Sequence, residues 1–155
     1  MTEAKDIPEL NITRIFDAPR DLVFDAWTRP EHLKEWFHPE GFTTPEVEVD
    51  LRAGGKQRLA MRDPEGKDYW SEGTYQEVVV PEKLVVTDAL LDDDGNPMFE
   101  VQHTITFADM DGKTEVTVNA RVEKIHDPAS AEPLSGMEEG WKQTLDNLDK
   151  HLARA

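Results

Sequence analysis

From Thr43 to Val122 the chain alternates apolar and polar residues with a period of two, broken only by turn chemistry and almost free of helical spacing. Val47, Val49 and Leu51 alternate with Glu46, Glu48, Asp50 and Arg52, which predicts a strand with one dry and one wet face. Leu59 and Met61 alternate with Arg58, Ala60 and Arg62. Tyr69 to Val80, Lys83 to Leu91 and Met98 to Phe107 continue the series, and Val116, Val118, Ala120 and Val122 end it. The connections are Ala53-Gly54-Gly55, Asp63-Pro64-Glu65-Gly66, Pro81, Asp92-Asp93-Asp94-Gly95-Asn96-Pro97 and Asp109-Met110-Asp111-Gly112. Turns this short force antiparallel pairing. With Asn11 to Phe16, a β-rich run of ambiguous facing, the count is about seven strands.

Three segments carry a helical period instead. Asp17-Ala18-Pro19 is a helix start with proline in the first turn, followed by Val23, Phe24 and Trp27 at helical spacing. Thr28-Arg29-Pro30-Glu31 reads as a capping box before Leu33, Trp36 and Phe37. Helices of about ten residues are marginal alone in water, so both must rest on the sheet. Lys124 to Leu134 reads as a connecting loop and Ser135-Gly136-Met137-Glu138 as a second capping box. Met137, Trp141, Leu145, Leu148 and Leu152 then form one apolar stripe. Roughly 18 residues at 1.5 Å each give a rod of about 27 Å, enough to cross the concave face of a twisted sheet. The order β-α-α-β-β-β-β-β-β-α predicts an α+β fold, with 1–155 as one domain and residues 1–9 as a flexible lead-in.

Composition narrows the function classes. At 155 residues a core can hold the chain together without staples. The absence of cysteine excludes disulfides, thiolate metal sites and thiol nucleophiles. Lys plus Arg number 17 against 33 Asp plus Glu, a formal charge of −16, which repels phosphate backbones and anionic membranes. The expectation is therefore no nucleic-acid partner and no membrane. No stretch approaches the length of a membrane span, so a cytoplasmic location is expected. The carboxylates are spread along the chain, which marks a solvated acidic surface rather than an interaction arm.

The order of elements, together with particular residues, resembles the START-like or SRPBCC superfamily. Those residues are Phe16-Asp17-Ala18-Pro19, Val23-Phe24-Asp25-Ala26-Trp27-Thr28-Arg29-Pro30-Glu31 with Trp36-Phe37, Gly54-Gly55, Gly73-Thr74-Tyr75-Gln76-Glu77 running into Pro81-Glu82-Lys83-Leu84, and Gly140-Trp141 with Leu145, Leu148 and Leu152. Within that superfamily the chain is similar to the branch homologous to the C-terminal domain of the activator of heat-shock protein 90 ATPase. The resemblance implies a helix-grip fold, a curved antiparallel sheet wrapped around a long C-terminal helix with a cavity between them. It departs at Trp36-Phe37-His38-Pro39, where the branch commonly has a tryptophan pair followed by Gly-Pro.

The expected lining is Trp36, Phe37, Leu59, Met61, Val101, Ile105, Met137, Trp141 and Leu145; taken singly, each is more often plain core than a ligand contact, and only the fold resemblance favours a cavity wall. Polar residues on apolar parities carry more information, because a buried polar group needs a partner. His103 sits between Val101 and Ile105; Tyr69, Ser71 and Tyr75 share one parity; Asp88 shares that of Leu84, Val86 and Leu90. These groups suit a polar handle on an apolar ligand, and His103, Tyr75 and Asp88 are also the candidates for acid–base catalysis of the cyclase or hydratase kind. His32 and His38 lie six apart, off the one-turn spacing of a metal pair, so no metal and no cofactor is expected. Glycine-rich nucleotide loops and serine-nucleophile elbows are absent. Ligand binding in an internal cavity leads, ahead of the enzyme alternative and of a chaperone-interaction module. An exposed sheet edge makes a homodimer plausible.

Overall fold

The computed structural model describes residues 9–126 and 137–154. Seven strands form one sheet: β1 (Glu9–Phe16), β2 (Thr43–Val49), β3 (Lys56–Arg62), β4 (Asp68–Val79), β5 (Lys83–Leu91), β6 (Pro97–Met110) and β7 (Lys113–Ile125). Their order across the sheet is β1-β7-β6-β5-β4-β3-β2, with antiparallel pairing throughout. Helices α1 (Arg20–Thr28) and α2 (Pro30–Trp36) follow β1, and α3 (Met137–Arg154) ends the described chain. This is the expected α+β helix-grip order. Among the described residues no helix is long and apolar enough to cross a membrane.

The core lies between the inner face of the sheet and the three helices. Phe16, Leu84, Val86, Ile105, Phe107, Val116 and Val118 point inward from the strands, and Leu145, Leu148 and Leu152 close over them from α3. The spacing of three and four keeps those leucines on one face of the helix. A smaller cluster of Phe99, Val101, Ala120 and Val122 lies apart from the main core, with Leu90 and Met137 half-buried against it.

Several expected boundaries shift. β1 begins at Glu9, paired with Arg121, two residues before the predicted start, while the rest of the predicted lead-in lies outside the described residues. Leu51 falls beyond β2 and is exposed, because the chain turns at Asp50 to Gly55 before a third inward position can form. Lys124 and Ile125 belong to β7, not to the loop that follows it. The Ser135 capping box lies outside the described residues. Thr28 is not a cap: its hydroxyl donates to the Phe24 carbonyl one turn back at 2.9 Å, so it ends α1, and Arg29 precedes α2. Proline at the first position of α2 needs no side-chain acceptor, since it has no N–H to satisfy.

Candidate functional site

Two connected spaces open between α3 and the sheet. The outer one is a largely apolar chamber of about 440 Å³, walled by Leu59 and Met61 of β3, Tyr69 and Ser71 of β4, Leu90 of β5, Phe99 and Val101 of β6, and Met137 and Trp141 of α3. Behind it lies a cleft of about 30 Å³ among Trp27, Leu33, Tyr75, Leu84, Val86 and Ile105. Phe37, Asp88, His103 and Trp141 line both, so the cleft is the inner end of the chamber. A larger trough of about 800 Å³ lies on the outer face of the sheet, where Arg58 pairs with Glu72 at 2.9 Å and Lys56 donates to Thr74 at 3.0 Å. It is studded with charge, where the chamber is largely apolar.

Most of the residues singled out from the sequence meet around the inner spaces. Phe37, Leu59, Met61, Tyr69, Ser71, Val101, His103, Met137 and Trp141 wall the chamber, Tyr75 and Ile105 the cleft, and Asp88 both. Trp36 and Leu145 do not: both are fully enclosed in the core, among side chains of α1, α2 and the sheet. Phe42, Leu90, Phe99 and Trp27 also line these spaces and were missed. Phe42 sits in a loop with no periodicity to mark it, whereas Leu90 and Phe99 shared parity with Asp88 and His103.

The aromatic wall is built from the helices. Trp27 stacks on Trp141, with centroids 5.9 Å apart and rings 18° from parallel, and meets Trp36 and Phe37 edge-on at 4.9 and 6.3 Å. Such pairs add about 0.5–1.5 kcal/mol each beyond the area they bury. The polar groups come from the strands. His103 Nδ1 lies 3.4 Å from Asp88 Oδ1, and the His103 ring meets Trp141 edge-on at 5.6 Å. Gly73 stands opposite Asp88 in the β4–β5 register. A Cβ there would come within 2.6 Å of Asp88 Cβ and 3.0 Å of the Thr87 carbonyl, so glycine makes the room in which Asp88 leans inward.

Among the described residues two buried side-chain atoms lack a hydrogen-bond partner, Trp27 Nε1 and Tyr75 Oη, and both residues line the cleft. Burial pushes the Tyr75 phenol well above its ordinary range, and the nearby Asp88 charge adds to the effect. At neutral pH Tyr75 is therefore a proton-bearing donor. The Tyr69 hydroxyl, by contrast, is spent on Asp63 Oδ2 at 3.1 Å. Asp63 in turn accepts the N–H groups of Glu65 and Lys67, each at 2.9 Å, and holds the β3–β4 turn.

His38, beside the chamber mouth, has a fixed tautomer. Thr44 gives its hydroxyl proton to the Phe37 carbonyl at 2.8 Å, so it can only accept from His38 Nδ1–H at 2.9 Å. Burial lowers the His38 pKa from about 6.5, against a smaller opposing pull from Glu35. The unfolded chain therefore binds the proton more readily, and stability falls as pH drops below about 6.5 toward the lower folded value. We expect the thermal midpoint of the native protein to fall more between pH 6.5 and 5 than that of His38→Asn, whose amide can still donate to Thr44. Parallel curves in thermal melts across that range would remove His38 from the account.

Comparisons with known proteins agree with the family and the fold. The family model described as activator of Hsp90 ATPase homolog 1-like protein matches residues 17–153. Among solved structures, a protein from Chromobacterium violaceum is 28% identical with a TM-score of 0.80, the match covering 93% of this chain and 96% of that one. A Nitrosomonas europaea protein is also 28% identical, at a TM-score of 0.77 and 94% coverage of both chains. An Arthrobacter aurescens protein at 22% identity shares the fold, with a TM-score of 0.83 over 95% of this chain and 87% of that one. No protein of curated function matches.

Proposed function

The chain belongs to the activator of Hsp90 ATPase homolog 1-like family, and from that premise we propose that it binds a small apolar or aromatic molecule in the chamber between α3 and the sheet. The observation that carries this is the chamber itself. About 440 Å³ walled by Leu59, Met61, Leu90, Phe99 and Trp141 is of a size that takes a small organic ligand, with a few polar side chains, among them Ser71, Asp88 and His103, set into an apolar lining.

Catalysis of the cyclase or hydratase kind fits less well. Tyr75 keeps its proton and can serve only as an acid, which leaves the role of base to His103 and Asp88 alone. A chaperone-interaction module would work through the surface and leave the chamber indifferent to any ligand. A neutral aromatic probe, N-phenyl-1-naphthylamine, separates these readings by fluorescence titration. The expected result is saturable one-to-one binding that Ser71→Phe, which fills the chamber from β4, weakens at least tenfold while the circular dichroism spectrum holds. Non-saturable binding, or binding indifferent to Ser71→Phe, overturns the proposal.

A further inference from the structure

Resting on the binding reading above, we propose that the ligand carries an uncharged oxygen acceptor, such as a ketone, ester or amide carbonyl, which the inner cleft receives on the Tyr75 hydroxyl with the Trp27 indole N–H beside it. The chamber alone asks only for apolar bulk. The cleft asks for more, because both of its enclosed donors are unpaired, Tyr75 being 1% and Trp27 4% exposed. A buried donor without an acceptor has lost its water and gained nothing in return, a cost that a ligand oxygen accepting from it would remove. At about 30 Å³ the cleft has room for a polar head and not for a ring system, so the apolar body must stay in the outer chamber.

The charge of that head follows from the walls. Asp88 lines both spaces, and among the described residues neither is lined by a lysine or arginine. A carboxylate would meet Asp88 with only His103 to offset it, so fatty acids and aromatic acids are selected against, whereas a neutral carbonyl accepts from Tyr75 without that repulsion. His103 and Asp88 mark the neck between chamber and cleft and give the head its orientation.

Three probes with one skeleton test this by calorimetry: 2-acetylnaphthalene, 2-ethylnaphthalene and 2-naphthoate. The ketone should bind about tenfold tighter than the hydrocarbon, and the naphthoate weakest of the three. In Tyr75→Phe, which keeps the ring and loses only the hydroxyl, the ketone preference should collapse while the hydrocarbon affinity stays. With a ¹³C-labelled carbonyl, the carbon signal of the bound ketone should lie downfield in the native complex of its position in the Tyr75→Phe complex. Equal binding of ketone and hydrocarbon, a preference that survives Tyr75→Phe, or tightest binding of the naphthoate would each overturn this inference and leave the chamber reading standing. No binding by any of the three would overturn both.

Discussion

Replacing Trp36 by alanine is expected to destabilise the protein by about 3–5 kcal/mol, the range for emptying the site of a large buried aromatic residue. The side chain is wholly enclosed and meets Trp27 and Phe37 edge-on, with centroids 4.9 and 5.3 Å away. It also has a hydrogen-bonding task that its size does not reveal. The carbonyl of Ala26 in α1 would normally accept from residue 30, but residue 30 is proline and has no N–H. Trp36 Nε1 takes the vacant place at 2.9 Å, tying α2 back onto the end of α1. Trp36→Phe should therefore still cost about 1–3 kcal/mol, because the ring is largely kept while a buried carbonyl loses its partner. Urea unfolding of both variants checks the pair. If Trp36→Phe were as stable as the native protein, the hydrogen bond to Ala26 would contribute nothing.

The second large effect is expected at Gly55, a residue with an ordinary backbone conformation and no space around it. A Cβ at this position would stand 2.0 Å from the Asp50 carbonyl oxygen and 3.0 Å from that of Arg52, and both are backbone atoms that cannot swing aside. The same segment holds Tyr75, since Tyr75 N–H donates to the Gly55 carbonyl at 2.9 Å and Gly54 N–H donates to the Tyr75 carbonyl at 2.8 Å. Gly55→Ala should cost on the order of 3 kcal/mol, the upper part of the usual range for overpacking, and should displace Tyr75 from the cleft. Neighbouring Gly54 is constrained differently, with φ of +85° and nothing within 4 Å of an added Cβ. Asparagine tolerates that conformation, so Gly54→Asn should be mild. Equal denaturation midpoints for the two variants would refute the contrast.

The strands and the last helix were legible because their apolar periods are long and uninterrupted. The leucine stripe of α3 and the alternation along β6 and β7 needed no tertiary information. Facing was harder to read in β4. Tyr69, Ser71 and Tyr75 share a parity that could have pointed either way, and a register shift between Tyr75 and Glu77 then reverses it, so that Val78 instead of Glu77 leans on the core. A bulge of this kind leaves no mark in a binary pattern. Aromatic residues were ambiguous for another reason. Trp27 and Trp36 both lie on apolar helix faces, yet Trp36 turns its indole N–H to the Ala26 carbonyl and is sealed in, while Trp27 lines the cleft. Thr28 satisfied the pattern of a cap, but a bond to its own helix prevailed over it.

The measurement that bears most directly on the chamber is an indole ¹⁵N–¹H spectrum recorded during titration with N-phenyl-1-naphthylamine. The four tryptophans are placed to report it: Trp141 walls the chamber, Trp27 stacks on it at the cleft, Trp36 is sealed in the core, and Trp70 lies under Arg58 at 4.0 Å on the outer face of the sheet. With signals assigned by single tryptophan-to-phenylalanine variants, the account predicts that Trp141 and Trp27 shift together and saturate while Trp70 stays fixed. A Trp70 shift with Trp141 and Trp27 unmoved, or no shift in any indole at saturating probe, would contradict it.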